Sequence, residues 1–181
     1  EPGPYLNMIN LQVTTGSTEH TNKKTYCLLS WDTPAINSNY KIIKFNIYFY
    51  KTHSPNKIHQ IQITKNLDKN FNSIVIAKTD INYEDINKIV NKDQYVSFDD
   101  IEYNVDYQFY MNYIVQDISN TKQYYSNNSN KSSIQFIDSS DASKEAEEKE
   151  EKEEDITVIN KILTGFDLGY SVVSDHKDTP I

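Results

Sequence analysis

The stretch from Tyr95 to Val115, YVSFDDIEYNVDYQFYMNYIV, constrains the fold of this chain more than any other. Its second half places four apolar or aromatic side chains at every other position. They are Tyr107, Phe109, Met111 and Tyr113. Side chains alternate between the two faces of a β-strand, so these four are predicted to share a buried side. Val96 and Phe98 show the same period, and the stretch therefore predicts two strands joined by a short polar corner.

The spacing across this corner has two interpretations. Ile101 and Tyr107 are six residues apart. In β-sandwiches, a Tyr at the start of a strand often turns its ring inward and directs its hydroxyl to the backbone of the preceding corner. Alternatively, Tyr107 is one more core aromatic in a chain with 14 Tyr. The first interpretation predicts a hydrogen bond between the hydroxyl and the corner.

Alternating apolar residues predict further strands elsewhere in the chain. These strands are Leu11 to Val13 with Leu6 and Met8 before it, Cys27 to Trp31, Ile42 to Tyr50, Ile58 to Thr64, Ser73 to Lys78 and Ile134 to Ile137, with a polar turn from Thr14 to Lys24. Trp31, the only Trp, is predicted at the centre of the core. Cys27 is the only cysteine, which excludes an intrachain disulfide and predicts a small buried residue.

The order of these features resembles a fibronectin type III domain. The matching residues are Trp31 and Pro34 for the family's second strand and its end, Phe45, Ile47 and Phe49 for its third, and Phe98, Ile101, Tyr107, Phe109 and Met111 for its corner and sixth strand. The similarity covers about residues 5–137. It implies an all-β, seven-stranded immunoglobulin-like sandwich whose third and sixth strands are neighbours in one sheet.

Two segments depart from the family. Residues 65–94 are an insertion before the corner, and Ile86, Ile89 and Val90 predict a short helix over residues 82–91, capped by Asp80 or Asn82. The second departure is a long polar loop from Asp117 to Ser133.

The composition changes abruptly after Asp138. Residues 138–155 are expected to form an acidic linker or a helix, because residues 141–155 hold nine acids and three Lys. Ile156, Ile159, Ile162 and Leu163 would form an apolar stripe on the last turns of that helix. Residues 156–181 are expected to be a C-terminal extension or the start of a further element. Four of them, Phe166, Leu168, Tyr170 and Val172, alternate as in a strand, and that segment could dock on the sandwich, begin another domain or pair with a partner.

Composition argues against several functions. The chain has no Arg, 18 Lys and a net charge of -8, which argues against nucleic-acid binding. No apolar run of about 18 residues and no basic-then-apolar leader occurs, so direct membrane insertion is not expected. The compartment stays open, because the chain could be a segment of a longer secreted or cell-surface protein. Abundant Asn, Ile, Tyr and Lys without Arg is typical of an AT-rich genome, such as that of a protozoan parasite.

The sequence offers little for catalysis. Four scattered His, one Cys and the absence of a nucleophile or phosphate-binding motif predict neither an enzyme, a metal site nor a cofactor. Four acids at the corner are either a polar turn, which we favour, or a Ca²⁺ site. They are Asp99, Asp100, Glu102 and Asp106.

Surface aromatics remain as candidates for recognition. Tyr48, Tyr50 and Tyr110 are predicted to lie opposite the core and to form one exposed patch, and Tyr124 and Tyr125 lie in the long loop. Tyr is favoured at interfaces, although codon bias and β-propensity would also place Tyr here. We expect a non-catalytic module that binds a protein partner within a larger protein or assembly; glycan binding is left open. The alternatives are an accessory domain of a larger, possibly carbohydrate-active, enzyme and a structural subunit that pairs through its C-terminal segment.

Overall fold

A computed structural model describes residues 3–17, 24–65, 67, 72–82, 94–141 and 155–163. Within these ranges the chain is all-β, with ten strands and no α-helix. The strands are β1 (Leu11–Ser17), β2 (Thr25–Trp31), β3 (Tyr40–Lys51), β4 (Ser54–Ile63), β5 (Ser73–Lys78), β6 (Tyr95–Phe98), β7 (Asp106–Asp117), β8 (Gln123–Tyr125), β9 (Ser132–Gln135) and β10 (Thr157–Leu163). A single 3-10 turn spans Ser139–Asp141. Of the helix predicted over residues 82–91, only Asn82 is among the described residues.

The strands form two mixed sheets that pack as a sandwich. The smaller sheet has the order β1-β2-β5-β6, and the larger has the order β10-β4-β3-β7-β8, with β9 also paired to β7. The β5–β6 and β10–β4 pairs are parallel and the others are antiparallel. β3 and β7 pair along their whole length, from Tyr40 opposite Asp117 to Lys51 opposite Tyr107. This long pair forms the centre of the larger sheet.

The core lies between the sheets and is aromatic. The alternation predicted for β7 is confirmed, because all four of its inward side chains are fully buried. Trp31 packs against Phe45 with ring centroids 5.6 Å apart. Cys27 is fully buried as predicted, and burial raises the pKa of its thiol. A thiol in this state is a small apolar core group rather than a nucleophile.

The corner before β7 has the predicted geometry. The backbone N–H of Glu102 donates to the hydroxyl oxygen of the buried Tyr107 at 3.0 Å, which confirms the tyrosine-corner hydrogen bond. Asn104 turns the chain with a φ of 66°, a left-handed conformation in which Asn is enriched. Its backbone N–H donates to the carbonyl of Phe136 at 2.6 Å. The corner is thus tied to the segment that follows β9.

Four strand predictions need correction. The described residues form ten strands rather than seven, and β1 runs to Ser17 where a turn was expected from Thr14. The last predicted strand of the sandwich lies two residues earlier, at Ser132–Gln135. The segment predicted as one long polar loop contains β8.

Serine side chains explain how this polar segment follows β7. Ser126 and Ser129 each pair with β7 twice: their backbone N–H groups donate to the carbonyls of Tyr113 and Met111. Their hydroxyls in turn accept the N–H groups of the same two residues, at 2.9 Å in both cases. The side chains therefore continue the β-ladder between β8 and β9, which a hydrophobic pattern does not reveal.

The predicted helical stripe before Gly165 is wrong, because β10 is a strand. It pairs in parallel with β4, with Thr157 opposite Lys57 and Leu163 opposite Ile63. Ile159 and Leu163 face the core and contact it. The spacing of the apolar residues fitted a helix, but the β-branched segment gains a hydrogen-bond ladder and a core contact at the β4 edge.

Hydrogen bonds from side chains to the backbone connect the two sheets along both edges of the sandwich. On one side, the Asn130 amide accepts from the Leu11 N–H at 2.8 Å and donates to the Leu11 carbonyl at 3.0 Å. On the other, the Lys161 ammonium donates to the Ser97 carbonyl and lies 4.6 Å from the centroid of the Phe98 ring. The sandwich has two ends, each formed by loops and turns. We call them the hairpin end, with loops 32–39 and 118–122, and the corner end, with the 52–53 turn and the corner at 99–105.

Candidate functional site

The three sheet tyrosines lie together opposite the core, as predicted. Tyr48 on β3 pairs in register with Tyr110 on β7, and their rings stack with centroids 4.9 Å apart and planes inclined by 20°. Tyr50 meets Tyr110 edge-on at 6.4 Å, and its hydroxyl donates to Gln108 at 2.8 Å. The larger sheet brings these rings together because β3 and β7 are paired along their full length.

The predicted exposure is wrong for Tyr48 and Tyr110, while Tyr50 is half-buried. Only 4% of Tyr48 and 8% of Tyr110 is accessible to solvent. Burial, followed by the neighbouring Tyr110, raises the pKa of Tyr48 to about 12, and burial also raises the pKa of Tyr110. Stacked rings present their faces to each other rather than to a partner. These two tyrosines therefore act as packing residues in this structure.

A chain of amide hydrogen bonds runs beside the stacked rings on the same face. The side-chain amide of Asn46 donates to the Asn112 carbonyl oxygen, and the amide of Asn112 donates to that of Asn128, both at 3.0 Å. Asn46 and Asn112 are buried. Polar residues on the outer face of a strand are expected to face water, yet these bond to one another across β3, β7 and the segment after β8. These hydrogen bonds satisfy polar groups of Asn46 and Asn112 that are buried on this face of the sheet.

The two loop tyrosines have different environments. Tyr124 faces inward and is half-buried, with its ring edge-on to Tyr40 at a centroid distance of 6.1 Å. A Cβ on Gly3 would lie 2.7 Å from this ring, so the close approach of the N-terminal segment requires glycine. Tyr125 faces the other side of β8 and is 67% exposed. Of the five candidate tyrosines, Tyr125 is the one presented to solvent.

Ile118 is a second exposed apolar residue on the same hairpin, and it was missed from the sequence. It lies in the turn between β7 and β8 and is 58% exposed. Its backbone N–H donates to the Asn39 carbonyl at 3.0 Å, which joins this turn to the loop before β3. The signal available in the sequence was one large aliphatic residue within an otherwise polar run, DISNTK.

Local hydrogen bonds fix the conformation of this turn. The Asp117 carboxylate accepts from the backbone N–H and the hydroxyl of Ser119, at 2.9 and 2.7 Å, and these bonds lower the pKa of Asp117. The Asn120 side chain accepts from the Lys122 N–H at 2.9 Å. Thr121 has a φ of 63°. Asx and left-handed geometry of this kind holds a loop in one shape before a partner arrives.

Two acids of the corner, Asp100 and Glu102, form ion pairs with side chains of the protein itself. Asp100 accepts from His59 Nε2 at 2.9 Å and forms an ion pair with Lys57 at 3.0 Å. Burial alone would raise the pKa of Asp100, but the hydrogen bonds and charges of His59 and Lys57 hold it well below its usual range. Glu102 pairs with Lys51 at 3.1 Å. Nowhere in the described part of the chain do three His, Cys, Asp or Glu side chains converge on a possible metal position.

Comparison with known proteins adds no relative: no protein-family model, no curated protein and no solved structure matches this chain. Across the described ranges, no helix has the length and apolar character needed to span a membrane.

Proposed function

We propose that this chain is a non-catalytic, fibronectin type III-like module that mediates protein–protein contact within a larger protein or assembly, and that its hairpin end makes the contact. The observation that carries the proposal is the exposure of two large apolar side chains, Ile118 and Tyr125, on one preorganised hairpin. Single exposed apolar residues are ordinary on a protein surface. Two on one fixed hairpin of a rigid scaffold favour a contact surface.

The division of strands between the sheets supports the family resemblance. The first, second and fifth strands lie in one sheet, and the third pairs in the other with the strand that follows the tyrosine corner. Immunoglobulin-like sandwiches divide their strands in this way. The additional strands β6 and β10 extend the edges of the two sheets and leave this arrangement intact.

The position of the hairpin supports the contact role. In sandwiches of this type, the loops that follow the second and sixth strands lie at one end, where variable domains carry their binding loops. Here loops 32–39 and 118–122 occupy those positions and are joined through the Ile118–Asn39 hydrogen bond. Many of their residues are Asn, Ser or Thr, with exposed Ile118 among them, and Tyr125 is exposed on β8, which directly follows loop 118–122. Binding loops of antibodies combine aromatic anchors with adaptable polar groups in a similar way.

A quantitative pull-down tests the proposal. The intact chain is used as bait in an extract of the cells that express it, and bound proteins are quantified by mass spectrometry. The comparison is between the unmodified chain, the double variant Ile118→Ser/Tyr125→Ser and the control Thr52→Ala, an exposed residue at the corner end. We expect a specific partner to be enriched by the unmodified chain and the control and lost with the double variant.

Two outcomes would count against the proposal. One is a partner that the double variant retains in full, which would place the contact elsewhere on the protein. The other is recovery of no specific partner by any form. If the hairpin end makes the contact, truncating Ile118 and Tyr125 should weaken binding by about 1–2 kcal/mol or more. Quantitative mass spectrometry detects a loss of partner of that size.

A second candidate function, an accessory domain of a carbohydrate-active enzyme, is favoured by a polar cleft at the corner end. The third possibility, pairing of the C-terminal segment with a partner, receives less support for residues 157–163, because β10 already pairs with β4 of its own chain.

A further inference from the structure

A cleft of about 380 Å³ opens at the corner end, on the opposite end of the sandwich from the hairpin. It lies where the starts of β4 and β10 meet the end of β3 and the corner. Its lining includes Lys51, Asn56, Lys57, Asp100, Glu102, Thr157 and the exposed carboxylate of Asp155. A cavity of this volume lies within the range of small-molecule sites, which begins at about 300 Å³.

The floor of the cleft is rigid. It contains His59 and Tyr107, both buried, and the rings of both contact Phe49, with centroids 4.4 and 5.9 Å away. His59 is fixed further by its bonds to both oxygens of Asp100. The Tyr107 hydroxyl is held in turn by the Glu102 N–H, which it accepts at 3.0 Å.

The walls carry donors and acceptors side by side. Lys57 and Asp100 form one ion pair, at 3.0 Å, and Lys51 and Glu102 form another, at 3.1 Å. Each pair offers a cationic donor next to an anionic acceptor. At each of these two pairs, a charged group of a ligand would have to compete with an internal partner of the same sign. A hydroxyl group can instead accept from the ammonium and donate to the carboxylate at once, and it can also donate to the Asp155 carboxylate.

Uncharged groups extend this pattern. Asn56 offers an amide N–H₂ and an amide carbonyl, and Thr157 offers a hydroxyl, so both can donate and accept. Ile159 supplies an apolar wall. From this arrangement we propose that the cleft binds a small, neutral, polyhydroxylated ligand of the chemical class of a monosaccharide, held mainly by hydrogen bonds. This site is independent of the contact proposed at the hairpin end.

Saturation-transfer NMR on the intact chain tests this inference. The probes are glucose, galactose, mannose, xylose and N-acetylglucosamine at millimolar concentration, with acetate and methylammonium as charged controls. At least one sugar should receive transfer from the protein, and the two ions should not. Lys57→Met and Thr157→Val should each weaken sugar binding by about tenfold, since each removes a ligand-facing donor.

Lys41→Met is the matched control, because Lys41 is exposed on β3 near the hairpin end. It should leave the transfer unchanged, and the fluorescence of the buried Trp31 verifies that every variant is folded. Absence of transfer to all five sugars would overturn the inference. Transfer to the ions alone, or transfer that survives both cleft substitutions, would overturn it as well. None of these outcomes depends on the pull-down with Ile118→Ser/Tyr125→Ser.

Discussion

Tyr48 and Tyr110 on the sheet face, and Tyr124 and Tyr125 on the β8 hairpin, are the same residue type in two different situations. The sheet pair is stacked and almost completely buried, with an amide chain beside it. On the hairpin, Tyr124 packs inward while its neighbour Tyr125 is exposed, because successive residues of a strand face opposite sides. Where a tyrosine lies in the fold, rather than how many tyrosines a segment holds, decides whether it is buried as a packing residue or exposed to solvent.

The largest expected effect comes from truncating one ring of the stacked pair. Tyr110→Ala should lower the free energy of unfolding by about 3 kcal/mol, because a buried aromatic side chain and its ring contact are lost together. Tyr125→Ala should change it by less than about 0.5 kcal/mol. Urea denaturation, monitored through Trp31 fluorescence, measures the free energy of unfolding of both variants. Equal losses in the two would remove the distinction between the sheet face and the hairpin.

The amide chain predicts the next effect. Asn112→Ala removes the acceptor of the buried Asn46 amide and the donor to Asn128, and should cost about 1–3 kcal/mol of unfolding free energy. Asn120→Ala is the control, because its amide bonds only within the exposed turn. The same denaturation experiment applies. A loss no greater than that of the control would mean that the buried amides on the sheet face do not contribute to stability.

A smaller effect is expected at the tyrosine corner. Tyr107→Phe keeps the buried ring and removes only the hydroxyl that accepts from the Glu102 N–H. The unfolding free energy should fall by about 0.5–1.5 kcal/mol, the usual contribution of one hydrogen bond. Tyr50→Phe, which removes a hydroxyl bond on the sheet face, provides a comparison. A Tyr107→Phe protein as stable as the unmodified chain would show that the corner bond has no energetic role.

The pH dependence of stability should report on Asp100. Its pKa in the folded protein is well below its usual range, so the folded state favours the ionised carboxylate, and the resulting stability is present above the unfolded pKa of about 4. That contribution should be lost progressively as the pH falls from about 5 toward the lower folded pKa. Unfolding measured from pH 7 to 3 should therefore show the unmodified chain and Asp100→Asn converging at low pH. A difference in unfolding free energy between the two proteins that stays constant from pH 7 to 3 would contradict the lowered pKa of Asp100.

Much of the interior was predictable because it follows from alternation along single strands. Phe45, Ile47 and Phe49 lie on the inner face of β3, and Trp31 lies against them, as the apolar pattern indicated. The corner bond of Tyr107 was also predictable, because it joins residues five positions apart. Local spacing determines such features.

Features that depend on distant pairing were not predictable. The apolar spacing in residues 156–163 suits a helix as well as a strand, and the parallel pairing with β4 decides between them. Alternation placed Tyr48 and Tyr110 on the outer face but could not show that the two rings stack. The polar cleft draws on residues from 51 to 159, so no single segment contains its pattern.

The most direct test of the division between buried packing tyrosines and the exposed Tyr125 is nitration of the folded chain by tetranitromethane, mapped by peptide mass spectrometry. The reagent attacks accessible phenolates, and the raised pKa of Tyr48 adds to its protection. Tyr125 should be nitrated in the folded protein, while Tyr48 and Tyr110 should react only after unfolding in urea. Nitration of Tyr48 and Tyr110 at the rate of Tyr125 in the folded protein would contradict the account.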